Sequence, residues 1–317
     1  MPILATPLNL IKMAKILAIK KKINSFKKKI EVSGDKSLSI RWVLLASQAI
    51  GKSKGYNLLM SEDVLAAIDS IKKLGVKVRI QKNYCEIVGN GINGFKYNKS
   101  LTIDAKNSGT LGRLILGLLI KSPKKIKIIG DKSLSKRDFS RVTTPLSKFG
   151  VKFSYKIKNK LPLTILGTQT AKGIKYFENK GSAQCKSSVM LAALNASGTT
   201  SIKAKKSRNH TELLFKYLKI PIKVRKTKKF DFIDIKKPKK ISAFNYQIPG
   251  DISSSAFFMV LATLADNSKL LVKNVNINPS RVGVITILKK MGAKIILKNQ
   301  KNYRGEKISD ILIKSSK

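Results

Sequence analysis

The sequence predicts an α/β fold assembled from repeated β/α units of roughly 70 residues. Three observations carry this. A short string recurs in which a helix ends at a turn and a strand follows. Its turn residues, Gly75, Gly150, Pro221 and Gly292, stand 75, 71 and 71 residues apart. The apolar share of 43% is ordinary for a globular chain and above the level of disorder, so each unit can add to a core. At 317 residues, the length allows about two domains.

The copies read in order. The first is Ile71-Lys-Lys-Leu-Gly-Val-Lys-Val78, after a helix with apolar positions at Val64, Leu65, Ile68, Ile71 and Leu74. The second is Leu146-Ser-Lys-Phe-Gly-Val-Lys-Phe153, and the fourth is Leu288-Lys-Lys-Met-Gly-Ala-Lys-Ile295. In these three, glycine suits the left-handed position just past a helix. The third, Tyr217-Leu-Lys-Ile-Pro-Ile-Lys-Val224, has Pro221 there, which also stops a helix. Another helix precedes in each unit, at Ser37–Ala49, Leu111–Ile120, Ser187–Leu194 and Ser254–Ala265. Strands are expected at Leu101–Ile103, Lys125–Ile129, Ser201–Lys203 and Leu270–Lys273. Units one to three (34–246) form a complete three-repeat domain in this reading. Residues 247–317 are the first repeat of a second, incomplete domain, and 1–33 supply an N-terminal extension and that domain's first strand. Ile285, Leu288, Met291, Ile295 and Leu297 are expected to form an apolar face left partly uncovered.

Charge is the unusual property, with 65 Lys+Arg against 17 Asp+Glu, a net +48. A basic nucleic-acid-binding module is the alternative this raises. The lysines are spread along the chain, and the runs Lys20–Lys22, Lys27–Lys29 and Lys236–Lys240 lack the interleaved aromatics of a stacking platform. A solvated, lysine-biased surface is therefore favoured, with no specific nucleic acid as partner. Cys85 and Cys185 have neither metal-ligand spacing nor a disulfide framework, which fits a reducing, cytoplasmic setting. No stretch reaches ~18 apolar residues, so no membrane span is expected. The start could be Met1 or Met13.

Six strings sit where strands turn into helices. Ser33-Gly-Asp-Lys36-Ser37-Leu-Ser-Ile-Arg41 puts a cation, a hydroxyl and a guanidinium fork at a helix N-terminus, where free N–H groups already favour anions. Asn107-Ser-Gly109-Thr-Leu-Gly-Arg113 offers close backbone approach at Gly109. Gly130-Asp-Lys-Ser-Leu-Ser-Lys-Arg137-Asp-Phe-Ser-Arg141 is a dense basic loop. Gly181-Ser182-Ala183-Gln184-Cys-Lys-Ser-Ser188 supplies neutral donors for hydroxyls and carboxylates. Ser207-Arg208-Asn-His-Thr-Glu212 holds the single histidine, His210, in a capping-type string. Ile248-Pro-Gly-Asp251-Ile-Ser-Ser-Ser-Ala-Phe-Phe258 opens the fourth unit as Gly34–Arg41 opens the first. A capped helix start with solvated charges accounts for any one of them; their order is what is specific.

Together with Asn276-Ile-Asn-Pro-Ser-Arg281-Val-Gly283, that order resembles the EPSP synthase (3-phosphoshikimate 1-carboxyvinyltransferase) family from about Glu31 to Lys317, and the SAQ and HTE wording is similar to its second class. The resemblance implies an inside-out α/β barrel in each of two domains, with the active site in the cleft between them. It implies transfer of the enolpyruvyl group from phosphoenolpyruvate to the 5-hydroxyl of shikimate 3-phosphate, with phosphate released and neither cofactor nor metal. Carried over, Lys36, Ser37 and Arg41 hold shikimate 3-phosphate, with Lys36 also facing phosphoenolpyruvate. Gly109 and Arg137 bind phosphoenolpyruvate. Ser182, Ala183 and Gln184 contact shikimate 3-phosphate, with Gln184 reaching phosphoenolpyruvate, and Arg208 pairs with the shikimate phosphate. A monomer is expected of the complete protein. The family motifs that hold the acid/base carboxylates (IDE, R-x-KE-x-DR and DHR) are absent up to Lys317. The expectation for residues 1–317 alone is weak shikimate 3-phosphate binding and negligible turnover, as in an inactive fragment or split half. The related UDP-N-acetylglucosamine carboxyvinyltransferases use a cysteine loop with no counterpart here.

Overall fold

A computed structural model describes residue 23, residues 25–82 and residues 84–316. Met1, Met13 and most of the expected N-terminal extension lie outside the described residues. The elements run β1 (Lys27–Glu31), α1 (Lys36–Ser47), β2 (Ile50–Tyr56), α2 (Glu62–Lys73), β3 (Lys77–Ile80) and β4 (Tyr84–Asn90). Then come β5 (Leu101–Asp104), α3 (Gly109–Leu118), β6 (Ile126–Ile129), the single turn α4 (Lys132–Ser135), α5 (Ser140–Ser147), β7 (Lys152–Tyr155) and β8 (Leu163–Leu166). The third group is β9 (Lys175–Glu178), α6 (Ala183–Ala193), β10 (Thr199–Lys205), α7 (His210–Tyr217), β11 (Ile222–Lys226) and β12 (Phe230–Lys236). The last is β13 (Tyr246–Gln247), α8 (Ile252–Leu264), β14 (Lys269–Asn276), α9 (Gly283–Lys290), β15 (Lys294–Tyr303) and β16 (Glu306–Lys314).

The repeat becomes four four-stranded sheets of one pattern, ordered β13-β2-β4-β3, β5-β6-β8-β7, β9-β10-β12-β11 and β1-β14-β16-β15. In each, the first pair is parallel and the others antiparallel. A parallel pair needs a crossover; α3 and α6 supply it within the second and third sheets, while α1 and α8 join one sheet to another, β1 to β2 and β13 to β14. Two sheets take their first strand from far away in sequence. Tyr246–Gln247 returns to pair with β2, and Lys27–Glu31 pairs with β14. Gly75, Gly150 and Gly292 take the left-handed conformation (φ 81°, 93° and 89°) after their helices. In the third unit that conformation falls on Lys219 (φ 55°), two residues before Pro221. Proline cannot adopt positive φ, so the chain turns earlier.

Two apolar cores result. The larger runs from Leu38 to Ile248 and includes α1, α3 and α6, whose residues 38–47, most of 111–118 and 185–193 are buried. The smaller joins Val32 to residues between Ile252 and Ile313. Of the face expected to be bare, Ile285 and Ile295 are buried (5% exposed each), while Met291 is 74% exposed. That face is thus partly uncovered, and apolar surface is bare on α8 as well, at Phe257 (80%) and Leu264 (72%), and on α9 at Ile287 (59%). α8 is apolar around most of its circumference, the pattern of a helix meant for burial on several sides.

Candidate functional site

Chain crossings between the two cores bring two helix starts together. Asp35 N–H donates to the Pro249 carbonyl (2.9 Å), and Asp251 N–H to the Ser33 carbonyl (3.0 Å). Asp35 caps α1 by accepting from Leu38 N–H (2.9 Å), and Asp251 caps α8 by accepting from Ser253 N–H (2.7 Å). Arg281 clasps both caps, donating to Asp35 (2.8 Å), Asp251 (3.2 Å) and the Ser253 hydroxyl (2.8 Å). Burial alone pushes the Asp35 carboxyl up, but the charges of His210 and Arg281 and the Leu38 N–H outweigh it and hold it below the ordinary range.

Around this clasp the helix starts of α3 and α6 form one polar network. Arg113 donates to Gln184 Oε1 (2.8 Å), and Gln184 Nε2 donates to Thr110 (3.0 Å). Gln184 is thereby fixed in both rotamer and amide orientation. Arg113 also lies over the Phe139 ring (5.2 Å). A methyl group at Gly109 would stand 2.9 Å from Arg113 and 3.1 Å from Arg137, so the glycine opens the space that two guanidinium heads share. Burial lowers the pKa of Arg113, and the nearby charges of Arg137 and Arg141 add to that effect.

A cavity of about 750 Å³ adjoins this network. Ser182, Ala183, Gln184 and Arg208 line it, and Asn278 and Ser280 of the last unit line it from across the interface. Its described lining has one carboxylate, Asp231, which is paired to Lys206 at 2.5 Å. Of the nine expected binding residues, the structure thus gathers four on one cavity, with Gly109 and Arg137 next to the Gln184 network. Lys36 and Ser37 sit on the first turn of α1. The Lys36 ammonium faces Asp63 at 3.6 Å, and its backbone N–H donates to Asp251 (3.2 Å). Arg41 is buried behind that turn. It donates to Thr211 (2.8 Å), Ser187 (3.1 Å) and the Ser37 carbonyl (3.0 Å), which uses three of the five N–H donors of a guanidinium. Burial draws its pKa down to about 10 despite Asp35 and Glu212.

Sequence reasoning left four features unassigned. His210 is fully buried and its Nδ1 lies 2.6 Å from Glu306, across the interface between the cores. Glu306 also accepts from Asn278 (2.9 Å) and Asn276 (3.2 Å). Burial raises the Glu306 pKa, but His210 and these amides outweigh it and the net shift is downward. Lys186 and Glu212 form a second buried ion pair at 2.6 Å. Arg113 and Arg281 were legible only as the arginines of two quoted strings. Neither thiol is set up as a nucleophile. Cys85 is buried and pushed up to about 11, and burial also raises Cys185 against the Ser182 hydrogen bond.

Comparisons with known proteins bear on this site. Residues 20–315 match the family model described as EPSP synthase (3-phosphoshikimate 1-carboxyvinyltransferase). The chain is 40% identical over 298 residues to the 3-phosphoshikimate 1-carboxyvinyltransferase of Thermoanaerobacter sp. (strain X514), covering 94% of this chain and 69% of that protein. It is 37% identical over 297 residues to that of Bacillus subtilis (strain 168), covering 93% and 68%. The solved EPSP synthase of Acinetobacter baumannii superposes with a TM-score of 0.84 at 36% identity, over 92% of this chain and 65% of that one. The chain thus spans about two thirds of the length of these relatives. Among the described residues no helix is long and apolar enough to cross a membrane.

Proposed function

The chain belongs to the EPSP synthase family, and on that premise we propose that it serves the transfer of the enolpyruvyl group of phosphoenolpyruvate to the 5-hydroxyl of shikimate 3-phosphate, with release of phosphate. One observation carries the reading: Gln184, held by Arg113 and Thr110, joins the cavity of Ser182 and Arg208 to the guanidinium pair beside Gly109. Two anionic ligands side by side repel each other, and a site for both must offer cations to each and an oriented neutral group between them. Shikimate 3-phosphate lies against Ser182, Ala183, Gln184 and Arg208, with Ser37, Lys36 and Arg41 closing the α1 side. Phosphoenolpyruvate lies against Gly109 and Arg137, within reach of Gln184 and Lys36.

The chemistry is addition then elimination. The 5-hydroxyl attacks C2 of phosphoenolpyruvate while the methylene takes a proton, and phosphate then leaves. The residues gathered here supply positioning and charge. The proton steps need an acid/base pair, and the cavity's one described carboxylate is occupied by Lys206. The domain division belongs to the same proposal: 34–246 as one domain, and 247–317 with the strand from 1–33 as the start of another, supported by the two separate cores and by Lys27–Glu31 pairing with β14.

Titration calorimetry of the chain with shikimate 3-phosphate tests the reading. Saturable binding that weakens in Ser182→Ala and Arg208→Ala is expected. Absence of binding, or binding that those changes leave untouched, overturns it. Phosphate release with both substrates present measures turnover separately.

A further inference from the structure

The third sheet has a solvent face unlike its counterparts. Side chains alternate along a strand, so β9, β10, β12 and β11 each turn every second residue outward. Pairing registers place Phe177, Lys203, Phe232 and Arg225 in one row across the sheet. Phe230 lies on the same face, opposite Lys205. The rings and cations alternate in contact. Lys203 Nζ stands 5.1 Å from the centroid of Phe177 and 4.6 Å from that of Phe230, and the Arg225 guanidinium stacks 4.1 Å over Phe232. Phe177 and Phe230 are 5.8 Å apart edge to face, and Phe177 is 49% exposed. A cavity of about 720 Å³ opens on this face and shares no lining residue with the candidate active site.

The fold does not demand these rings. The matching row of the second sheet is Thr102, Lys127, Thr164 and Ser154. The first sheet carries an outward Tyr56–Tyr84 pair, but beside Glu86, which pairs with Lys52 at 3.5 Å. On the third sheet Lys175, Lys223 and Lys236 add to Lys203, Lys205 and Arg225. The acid facing them is Asp234, which accepts from Ser201 (2.6 Å). Lys228 and Lys229 extend the basic surface at the β11–β12 turn.

We infer that this face binds single-stranded nucleic acid without sequence specificity. Exposed rings on a four-stranded sheet stack unpaired bases, and cations between them meet the phosphates. Guanidinium planes such as Arg225 stack on bases as well. A duplex hides its base faces, and the carboxylates of an acidic protein surface would pair with the cations without using the rings. Phe230 and Phe232 directly follow the basic string Arg225–Lys229, and the sheet brings Phe177 to them from more than 50 residues away.

The test is fluorescence anisotropy of end-labelled 15-nucleotide oligo(dT) and oligo(U) with the 317-residue chain in about 0.2 M salt, where charge-only binding is much weakened. Phe177→Ala is expected to weaken binding roughly 5- to 150-fold with the salt slope unchanged. Lys127→Ala on the second sheet is expected to have little effect. A 15-base-pair duplex is expected to compete poorly, and the two oligomers tell whether RNA or DNA is preferred. Phe177 is half exposed, and an unchanged Trp42 emission spectrum checks that the variant is folded. A 5-iodouracil oligomer, photocrosslinked to the unaltered chain, is expected to attach at Phe177, Phe230 or Phe232. Three results each overturn the inference: equal competition by duplex, crosslinks confined to lysine-rich segments outside this sheet, or displacement of the oligomer by polyglutamate as readily as by oligo(dT).

Discussion

Arg281→Met tests the clasp that joins the two helix caps. The arginine side chain is 5% exposed and the Asp35 side chain is fully buried. Removing the guanidinium takes away the charged hydrogen bond at 2.8 Å and leaves Asp35 with the Leu38 N–H of its cap and the charges of His210 and Arg41. Breaking a buried pair from one side costs about 3–5 kcal/mol, because an uncompensated charge stays behind. The Asp251 contact is longer, and Asp251 keeps the N–H groups of Ser253 and Lys36, so most of the loss falls on Asp35. A loss of about 3–5 kcal/mol is therefore expected. Asp35→Asn keeps an oxygen for Leu38 N–H but removes the charge, so the double variant should be milder than the sum by at least about 1.5 kcal/mol. Urea unfolding followed by Trp42 fluorescence is the assay. Trp42 is the only tryptophan, fully buried in the helix that Asp35 caps. A cost below about 1 kcal/mol, or a cycle additive within about 0.5 kcal/mol, refutes the reasoning.

Other consequences are as direct. Arg137→Met should weaken phosphoenolpyruvate binding roughly 10-fold or more through loss of a charge-assisted contact, with the urea midpoint unchanged; titration calorimetry reads the first and unfolding the second. Gly109→Ala adds a methyl group against the flexible ends of Arg113 and Arg137, at a residue without positive φ. It should leave stability within about 0.5 kcal/mol, since alanine favours helix, yet reduce affinity for the same ligand. Asp35 and Glu306 both have folded pKa values below their ordinary 3.8 and 4.5. Their contribution is fully present above those values and is lost as pH falls through the lower folded ones. Stability should therefore be level on this account above about pH 5 and fall in acid, and Glu306→Gln should flatten part of that fall; urea midpoints across pH decide.

The sequence carried everything that depends on neighbours along the chain. Gly75, Gly150 and Gly292 announced left-handed turns because only glycine enters that region without cost, and the 3.6-residue periodicity announced the helices before them. The helix-start strings announced capped helix starts, and Asp35, Ser108, Ser182 and Asp251 each accept from an N–H of the next turn, because a cap and its N–H lie within four residues of each other. Their order was enough to give the family, which the comparisons show. Local rules also misplaced one detail and missed another. Lys219 took the left-handed turn ahead of Pro221, and α8 carries bare apolar residues that its string did not announce.

What only the tertiary structure decided lies between residues far apart. Tyr246 closing the first sheet, Arg281 across two caps, His210 against Glu306 and Gln184 pinned by Arg113 are contacts whose partners are 30 to 246 residues apart. Each residue alone has a bland local explanation: a strand end, a surface arginine, a cap, a polar helix start. Burial removes water as the alternative partner, and the choice among distant partners is then made by packing, which no short string records. The basic surface divides in the same way. Its charge was countable from composition, but the rings that give one sheet a stacking face come together only when β9 and β12 flank β10.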